Sequence, residues 1–104
     1  MSDVVEIARF RVAEASEHAL FEAWPDMVAA MQRAHPALRS VQLVRFDDGT
    51  WADIAVWDDR ASAENACSVG PALPEVQAFF AHIEEDLGLD LAVRIVESRP
   101  SVGD

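Results

Sequence analysis

Eight side chains of this 104-residue sequence could form a site for a small molecule. Such a site is usually an apolar concave surface with a few polar groups that orient the bound molecule. Aromatic residues could supply the apolar walls, and three charged or polar residues could supply the polar groups. The wall candidates are Phe10, Trp24, Trp57, Phe79 and Phe80, and the polar candidates are Arg9, His35 and Asp53.

The aromatic candidates also have a purely structural interpretation. Aromatic side chains at strand or helical spacing are more often core residues, which applies first to Phe10, Trp57 and Phe79. Trp24 is the better pocket candidate, because it precedes Pro25, and a helix kink at proline frees backbone groups and opens gaps.

The polar candidates can be explained by charge pairing and helix capping. Asp53 lies in mid-strand and could pair with Arg9, Arg45 or Arg94 of other strands, because an ionised group inside a protein needs such partners. Its alternative role is to orient a substrate. His35 precedes a proline, where the helix must end, and a solvated capping residue is the simplest interpretation.

The sequence contains no recognisable metal or phosphate site. The three histidines, His18, His35 and His82, do not form a pair at the one-turn spacing of a helical metal site. The single cysteine, Cys67, excludes an internal disulfide and a multi-cysteine zinc site, and inert packing is expected for it. We therefore predict a site without a metal ion.

Composition and charge exclude several classes of protein. The sequence has 19 acidic and 8 basic residues, none of them lysine, and a formal net charge of −11, so we expect no nucleic-acid partner. The longest apolar run covers residues 27–31, far below the roughly 20 residues that span a bilayer, and the chain start lacks the basic residues of an export signal. We predict a soluble, cytoplasmic chain that forms one domain over residues 1–104, with a core over about 4–97.

Hydrophobic periodicity predicts four strands and three helices. The predicted strands cover 4–12, 38–46, 51–57 and 89–96, and the predicted helices cover 16–35, 60–68 and 74–87. Asp48-Gly49 suits a tight turn between the second and third strands. Ser16 is the expected N-cap of the first helix, which Pro25 should kink or divide in two. Gly88 should end the third helix, and the tail over 99–104 should be frayed.

This order of elements is the ferredoxin-like βαββαβ plan, an α+β fold in which helices cover one face of a four-stranded antiparallel sheet. Both alternating sets of strand residues carry apolar side chains, such as Val5 and Ile7 on one side and Val4 and Phe10 on the other. A sheet of this kind must bury its second face, and two copies packed around a two-fold axis would do so. We therefore predict a homodimer.

Four short segments carry a resemblance to a known family. They are Trp24-Pro25, His35-Pro36-Ala37-Leu38, Asp48-Gly49-Thr50-Trp51, and Ile54-Ala55-Val56-Trp57 before an Asp-capped, alanine-rich helix. Over about residues 4–97 the pattern resembles the antibiotic biosynthesis monooxygenase family of dimeric α+β barrels. The resemblance implies a dimer with a pocket between the sheet and the helices of each subunit.

The resemblance also implies an activity. Members of this superfamily include haem-degrading enzymes and oxygenases that need neither metal nor flavin and act on electron-rich aromatic polyketides or quinols. Where the haem-degrading relatives place an asparagine, a tryptophan and a histidine, this chain has Ala8, Ala66 and about Phe80, which argues against haem cleavage. The implied function is a cofactor-independent monooxygenase acting on a small aromatic, polyketide or quinol substrate. The alternative is a non-catalytic dimeric barrel that binds a small apolar ligand.

Overall fold

The computed structural model describes residues 3–98, and the expected frayed tail over 99–104 lies outside these residues. The elements are β1 (Val4–Arg11), α1 (Glu17–Ala34), β2 (Leu38–Arg45), β3 (Trp51–Trp57), α2 (Arg60–Val69), α3 (Pro74–Phe80) and β4 (Glu85–Val93). Short 3-10 turns at Glu14–Ser16 and Gly70–Ala72 precede α1 and α3.

The four strands form one antiparallel sheet in the order β2-β3-β1-β4. This is the order of the ferredoxin-like fold, so the predicted fold class is confirmed. The turn between β2 and β3 uses Gly49 at φ 87°, and the backbone amide and hydroxyl of Thr50 both donate to the Asp48 carboxylate. The side chain thus closes the turn that the sequence predicts.

Two apolar clusters fill the space between the sheet and the helices. The first joins β1, β2 and β3 to α2 through Val4, Leu38, Ala55, Trp57, Ala63 and Ala66. The second joins β1 to α1 and α3 through Phe10, Leu20, Met27, Val76 and Phe79. In the second cluster the rings of Phe10 and Phe79 meet edge to face at 5.9 Å between centroids, a favourable arrangement for aromatic side chains.

The third helix is shorter than predicted, and β4 begins earlier. α3 ends at Phe80, and the amide of Glu84 donates to the carbonyl oxygen of Arg11 at 2.8 Å, so the chain joins the end of β1 at this point. Backbone pairing with β1 therefore overrides the helical spacing of the apolar residues after Phe80.

Gly88 does not end a helix, contrary to the prediction, but lies inside β4 with φ 110°. The register of β4 against β1 shifts there, from Gly88 opposite Arg9 to Asp86 opposite Phe10. Leu87 is the extra residue of this β-bulge, and glycine tolerates the positive φ beside it.

α1 runs without interruption through Pro25. Of the two predicted alternatives, a kink or a division into two helices, the division is therefore wrong. The buried residues Leu20, Met27 and Ala30 of α1 lie on both sides of the proline and hold the flanking turns against the core. Ser16 is the N-cap residue of α1, as predicted, but its side chain forms no capping hydrogen bond, because Ser16 also belongs to the preceding 3-10 turn. Among residues 3–98, no helix combines the length and the apolar character needed to cross a membrane.

The face of the sheet opposite the helices is also apolar. We call it the open face, and it carries Val5, Ile7, Val44, Ile54 and Val56. Each of these side chains keeps part of its surface in contact with solvent. The second apolar face that the sequence predicts is therefore present in the structure.

Candidate functional site

A cavity of about 530 Å³ lies between the helix-facing side of the sheet and the helices. Residues of β1, β3 and β4 form one side, and residues of the three helices form the other. Most of its lining is apolar and includes Ala8, Phe10, Met27, Met31, Ala66, Cys67, Pro71, Val76, Phe80, Ile83 and Leu89. A volume of this size is sufficient for a small aromatic molecule.

Two carboxylates, those of Glu6 and Asp53, lie in this apolar wall. Glu6 of β1 is opposite Ala55 of β3, and Ala8 is opposite Asp53, so the two acids are diagonal neighbours on adjacent strands. Side chains in this relation point to the same face of a sheet. The fold therefore brings two acids together under the helices.

Each carboxylate is held by one indole. Trp24 Nε1 of α1 donates to Asp53 Oδ1 at 2.8 Å, and Trp57 Nε1 of β3 donates to Glu6 Oε1 at 2.9 Å. The second oxygens, Asp53 Oδ2 and Glu6 Oε2, have no hydrogen-bond partner among residues 3–98. Each carboxylate is thus fixed through one oxygen and can accept a hydrogen bond from a bound molecule through the other.

Burial raises the pKa of both carboxyl groups. Desolvation raises the pKa of Asp53 to about 6, the hydrogen bond from Trp24 opposes this effect, and the negative charge of Glu6 adds to it. Desolvation also raises the pKa of Glu6, against the hydrogen bond from Trp57. Asp53 therefore exchanges a proton close to neutral pH, as a general base must.

The eight predicted site residues divide into three groups. Arg9, Phe10, Asp53 and Phe80 border the cavity, although strand alternation directs the side chain of Arg9 to the opposite face of the sheet. Trp24 and Trp57 do not line it, but they hold its two carboxylates. Phe79 is fully buried in the core, and His35 lies near Trp57, away from the cavity.

The predicted ion pairing of Asp53 with arginine is wrong. Arg45 Nη1 lies 3.7 Å from a carboxylate oxygen of Glu17, and Arg94 Nη1 lies 2.8 Å from one of Asp3. The guanidinium of Arg9 lies over the ring of Phe46, at 4.1 Å from its centroid. Each of these arginines interacts with another side chain, and Asp53 accepts a hydrogen bond from the indole of Trp24 instead.

The prediction that His35 is a solvated cap is also wrong in part. His35 does end α1, and its backbone amide donates to the carbonyl oxygen of Met31 at 2.8 Å. Its side chain is only 9% exposed, however, and meets the ring of Trp57 edge on at 5.9 Å. Its Nε2 has no hydrogen-bond partner among residues 3–98.

Glu6 is the site residue that sequence reasoning missed. The alternation of β1 places Glu6 on the same side as Val4, Ala8 and Phe10, which is the side that the helices cover. A lone acid in an otherwise apolar set on a covered face was the signal that could have identified it.

The remaining chemistry-bearing side chain is Cys67 of α2, which also lines the cavity. Partial burial and the charges of Glu6 and Glu64 raise the pKa of its thiol, which makes it a poor nucleophile. The residue is nevertheless exposed, so the expected inert packing is wrong. Within residues 3–98, no three His, Cys, Asp or Glu side chains are placed to hold a metal ion. A site without metal or cofactor stays a prediction.

Several solved structures share this fold. MupZ from Pseudomonas fluorescens superposes with a TM-score of 0.70 at 13% identity, covering 88% of this chain and 71% of its own. SnoaB, a cofactor-independent oxygenase from Streptomyces nogalater, has a TM-score of 0.63 at 21% identity, with 100% of both chains covered. Rv0793 from Mycobacterium tuberculosis has a TM-score of 0.60 at 21% identity, covering 96% of this chain and 100% of its own. Identities this low establish the shared fold alone, and no curated protein matches the sequence significantly.

The family model of antibiotic biosynthesis monooxygenases matches residues 3–82, which is 80 of the 104 residues. The matched span runs from β1 to the end of α3 and includes both cavity carboxylates and the indoles that hold them. This chain therefore belongs to the antibiotic biosynthesis monooxygenase family.

Proposed function

We propose that this chain is a cofactor-independent monooxygenase that oxidises a small, electron-rich phenol or quinol in the cavity. The observation that carries the proposal is the Asp53 carboxylate. It lies in an apolar wall, one of its oxygens is fixed by Trp24, the other has no partner among residues 3–98, and its pKa is raised to about 6. Membership of the family and the fold shared with SnoaB support the same activity.

The proposed reaction needs no external reductant, because the substrate supplies all the electrons. Asp53 Oδ2 accepts the phenolic proton, and the carbon para to the oxygen becomes electron-rich. That carbon forms a bond to dioxygen, and the proton on Asp53 passes to the outer oxygen to give a hydroperoxide. The O–O bond then breaks as the para C–H proton leaves, so that phenol and dioxygen give a quinone and water. Asp53 is ionised again at the end of the cycle.

The test is oxygen uptake with hydroxynaphthalenes that carry a free para carbon. We expect one quinone formed for each dioxygen consumed, and a rate that falls by about 10²–10⁴-fold in Asp53→Asn, the usual contribution of a positioned general base. Asp26→Asn is the matched control, because Asp26 is exposed on α1 and does not line the cavity.

The competing function, a non-catalytic ligand-binding barrel, gives a different result in the same experiment. Hydroxynaphthalenes would then raise the melting temperature through mass action while oxygen uptake stays at the rate of the buffer. Full activity of Asp53→Asn would also contradict the proposed role of Asp53.

We also propose that two copies pack through their open faces to form a homodimer. The partly exposed apolar side chains of β1, β2 and β3 on this face support the proposal, since a partner would remove them from water. Light scattering should then give twice the chain mass of 11.4 kDa. Ile54→Asp on the open face should yield monomers, whereas Phe21→Asp, exposed on α1, should not. A wild-type mass of one chain would contradict the dimer.

A further inference from the structure

The charged residues around the cavity are almost all acidic. Its lining within residues 3–98 includes the acids Glu6, Asp53, Glu84, Glu85 and Asp86, and Arg9 is the only base among the lining residues. Glu85 is directly opposite Arg11, so its side chain leaves the sheet on the side opposite to Ala8 and Phe10, where it forms an ion pair with Arg11 at 3.0 Å between Nε and Oε1. Glu6 and Asp53, on the helix-facing side of the sheet, therefore give the cavity wall an excess of acidic side chains.

Arg9 is not placed to receive an anion inside the cavity. Successive residues of a strand point to opposite faces, so the side chain of Arg9 leaves the sheet on the side opposite to Ala8 and Phe10. Its guanidinium lies over the ring of Phe46, where a cation–π contact holds it. A ligand among Ala8, Phe10 and the helices therefore meets no arginine side chain from residues 3–98.

The free polar atoms inside the cavity are acceptors. Asp53 Oδ2 and Glu6 Oε2 are unpaired among residues 3–98, and an ionised carboxylate can only accept hydrogen bonds. A ligand must therefore supply donors to them. A carboxylate on the ligand would face two like charges in an apolar, partly desolvated space and would find no cation to pair with among residues 3–98.

We infer that the cavity selects its ligand by charge: it takes a neutral or positively charged hydroxyaromatic molecule and excludes one that carries a carboxylate. The inference rests on the proposed function in one respect, because it assigns the hydroxyaromatic ligand to the same cavity. It concerns binding, so it does not depend on turnover.

The test is a charge series on one aromatic frame, measured by calorimetry with the full chain at pH 7.5. The three probes are 6-(hydroxymethyl)-2-naphthol, which is neutral, 6-(aminomethyl)-2-naphthol, which is a cation, and 6-hydroxy-2-naphthoate, which is an anion. We expect the anion to bind at least about tenfold more weakly than the neutral probe, and the cation at least as tightly as the neutral probe.

Two double variants identify the source of the selection. Replacing both cavity acids, as Glu6→Gln with Asp53→Asn, should bring the anion to within about threefold of the neutral probe. The control pair, Glu14→Gln with Asp26→Asn, removes two exposed charges outside the cavity and should leave the wild-type ratio unchanged. The control separates the local effect from that of the net charge of −11.

The wild-type series alone can overturn the inference. An anion that binds as tightly as the neutral probe would refute it, and so would a series in which no probe binds. Selection against the anion that persists in the cavity double variant would also refute it, since the two carboxylates would then not be its cause. Charge selection without oxygen uptake would refute the proposed monooxygenase and leave this inference standing. Equal turnover of neutral and carboxylated phenols would refute this inference and leave the proposed monooxygenase standing.

Discussion

Replacing Asp53 by asparagine should stabilise the protein while it removes the proposed activity. Asp53 lies in an apolar wall, and burial raises its pKa to about 6. The unfolded chain has an aspartate pKa of about 3.9, so it releases its proton at lower pH than the folded chain. Ionisation of Asp53 therefore favours unfolding, and a neutral side chain of the same shape avoids this effect.

The size of the effect depends on pH. Below about pH 4 the carboxyl group is protonated in both states and costs nothing, and the free energy of unfolding falls as the pH rises from about 4 to about 6. With the raised pKa of about 6 for Asp53, its ionisation lowers the free energy of unfolding by about 1.5 kcal/mol at pH 5 and by about 3 kcal/mol above pH 7. Asparagine keeps an oxygen that can accept from Trp24, although a neutral acceptor forms a weaker bond.

Urea unfolding of the wild type and Asp53→Asn at pH 5 and pH 7.5 measures this cost. Both values lie above the isoelectric point of about 4.4, where low net charge would reduce solubility. The stability gained by the substitution should be larger at pH 7.5 than at pH 5 by about 1.4 kcal/mol. The exposed control Asp26→Asn should change stability by less than about 0.5 kcal/mol at either pH.

The comparison between the two pH values is decisive. A gain that does not grow with pH would show that the Asp53 carboxyl is not desolvated in the folded chain. Asp53 would then not act as a base near neutral pH.

Three further substitutions test the same site and its core. Trp24→Phe removes the 2.8 Å hydrogen bond to Asp53, which should raise the pKa of that carboxyl group and move the acidic limb of the pH–rate profile up by about one unit. Trp51→Phe is the control and should leave the acidic limb unchanged, since Trp51 Nε1 has no hydrogen-bond partner among residues 3–98. Glu6→Gln removes the negative charge that raises the pKa of Asp53, so the same limb should move to lower pH, and a shift in the other direction would contradict the coupling. Phe79→Ala should reduce the free energy of unfolding by about 3–5 kcal/mol, because Phe79 is fully buried. Phe80 is 47% exposed, so Phe80→Ala should reduce it by less than about 1.5 kcal/mol. Equal losses in urea unfolding would contradict the core that the structure shows.

Local sequence patterns predicted most of the fold, because most elements are determined by their own periodicity. The alternation in β1, the four-and-three spacing in α1 and the Asp48-Gly49 turn each appear in the structure at the predicted place. The end of α3 was predicted wrongly, since Ile83 and Leu87 continue the helical spacing of Val76 and Phe79. What ends the helix is a long-range bond from Glu84 to Arg11, and no local pattern shows such a bond.

The site was predicted in parts but not as a unit. Trp24 and Asp53 were both candidates, yet their hydrogen bond joins residues 29 positions apart and follows from the packing of α1 on β3. His35 looked solvated because it precedes a proline, but the side chain lies against Trp57. The spacing of residues predicts which face of an element they occupy. Hydrogen bonds between elements depend on how the helices pack on the sheet, which spacing does not show.

The two indole–carboxylate hydrogen bonds couple the state of the cavity to the intrinsic fluorescence of the protein. The chain has three tryptophans and no tyrosine, so its near-ultraviolet emission comes from indoles alone. Two of the three, Trp24 and Trp57, donate to the cavity carboxylates, and the electrostatic environment of an indole changes when its partner gains a proton or a guest. The fluorescence of the unlabelled protein should therefore report the protonation and occupancy of the cavity during a titration.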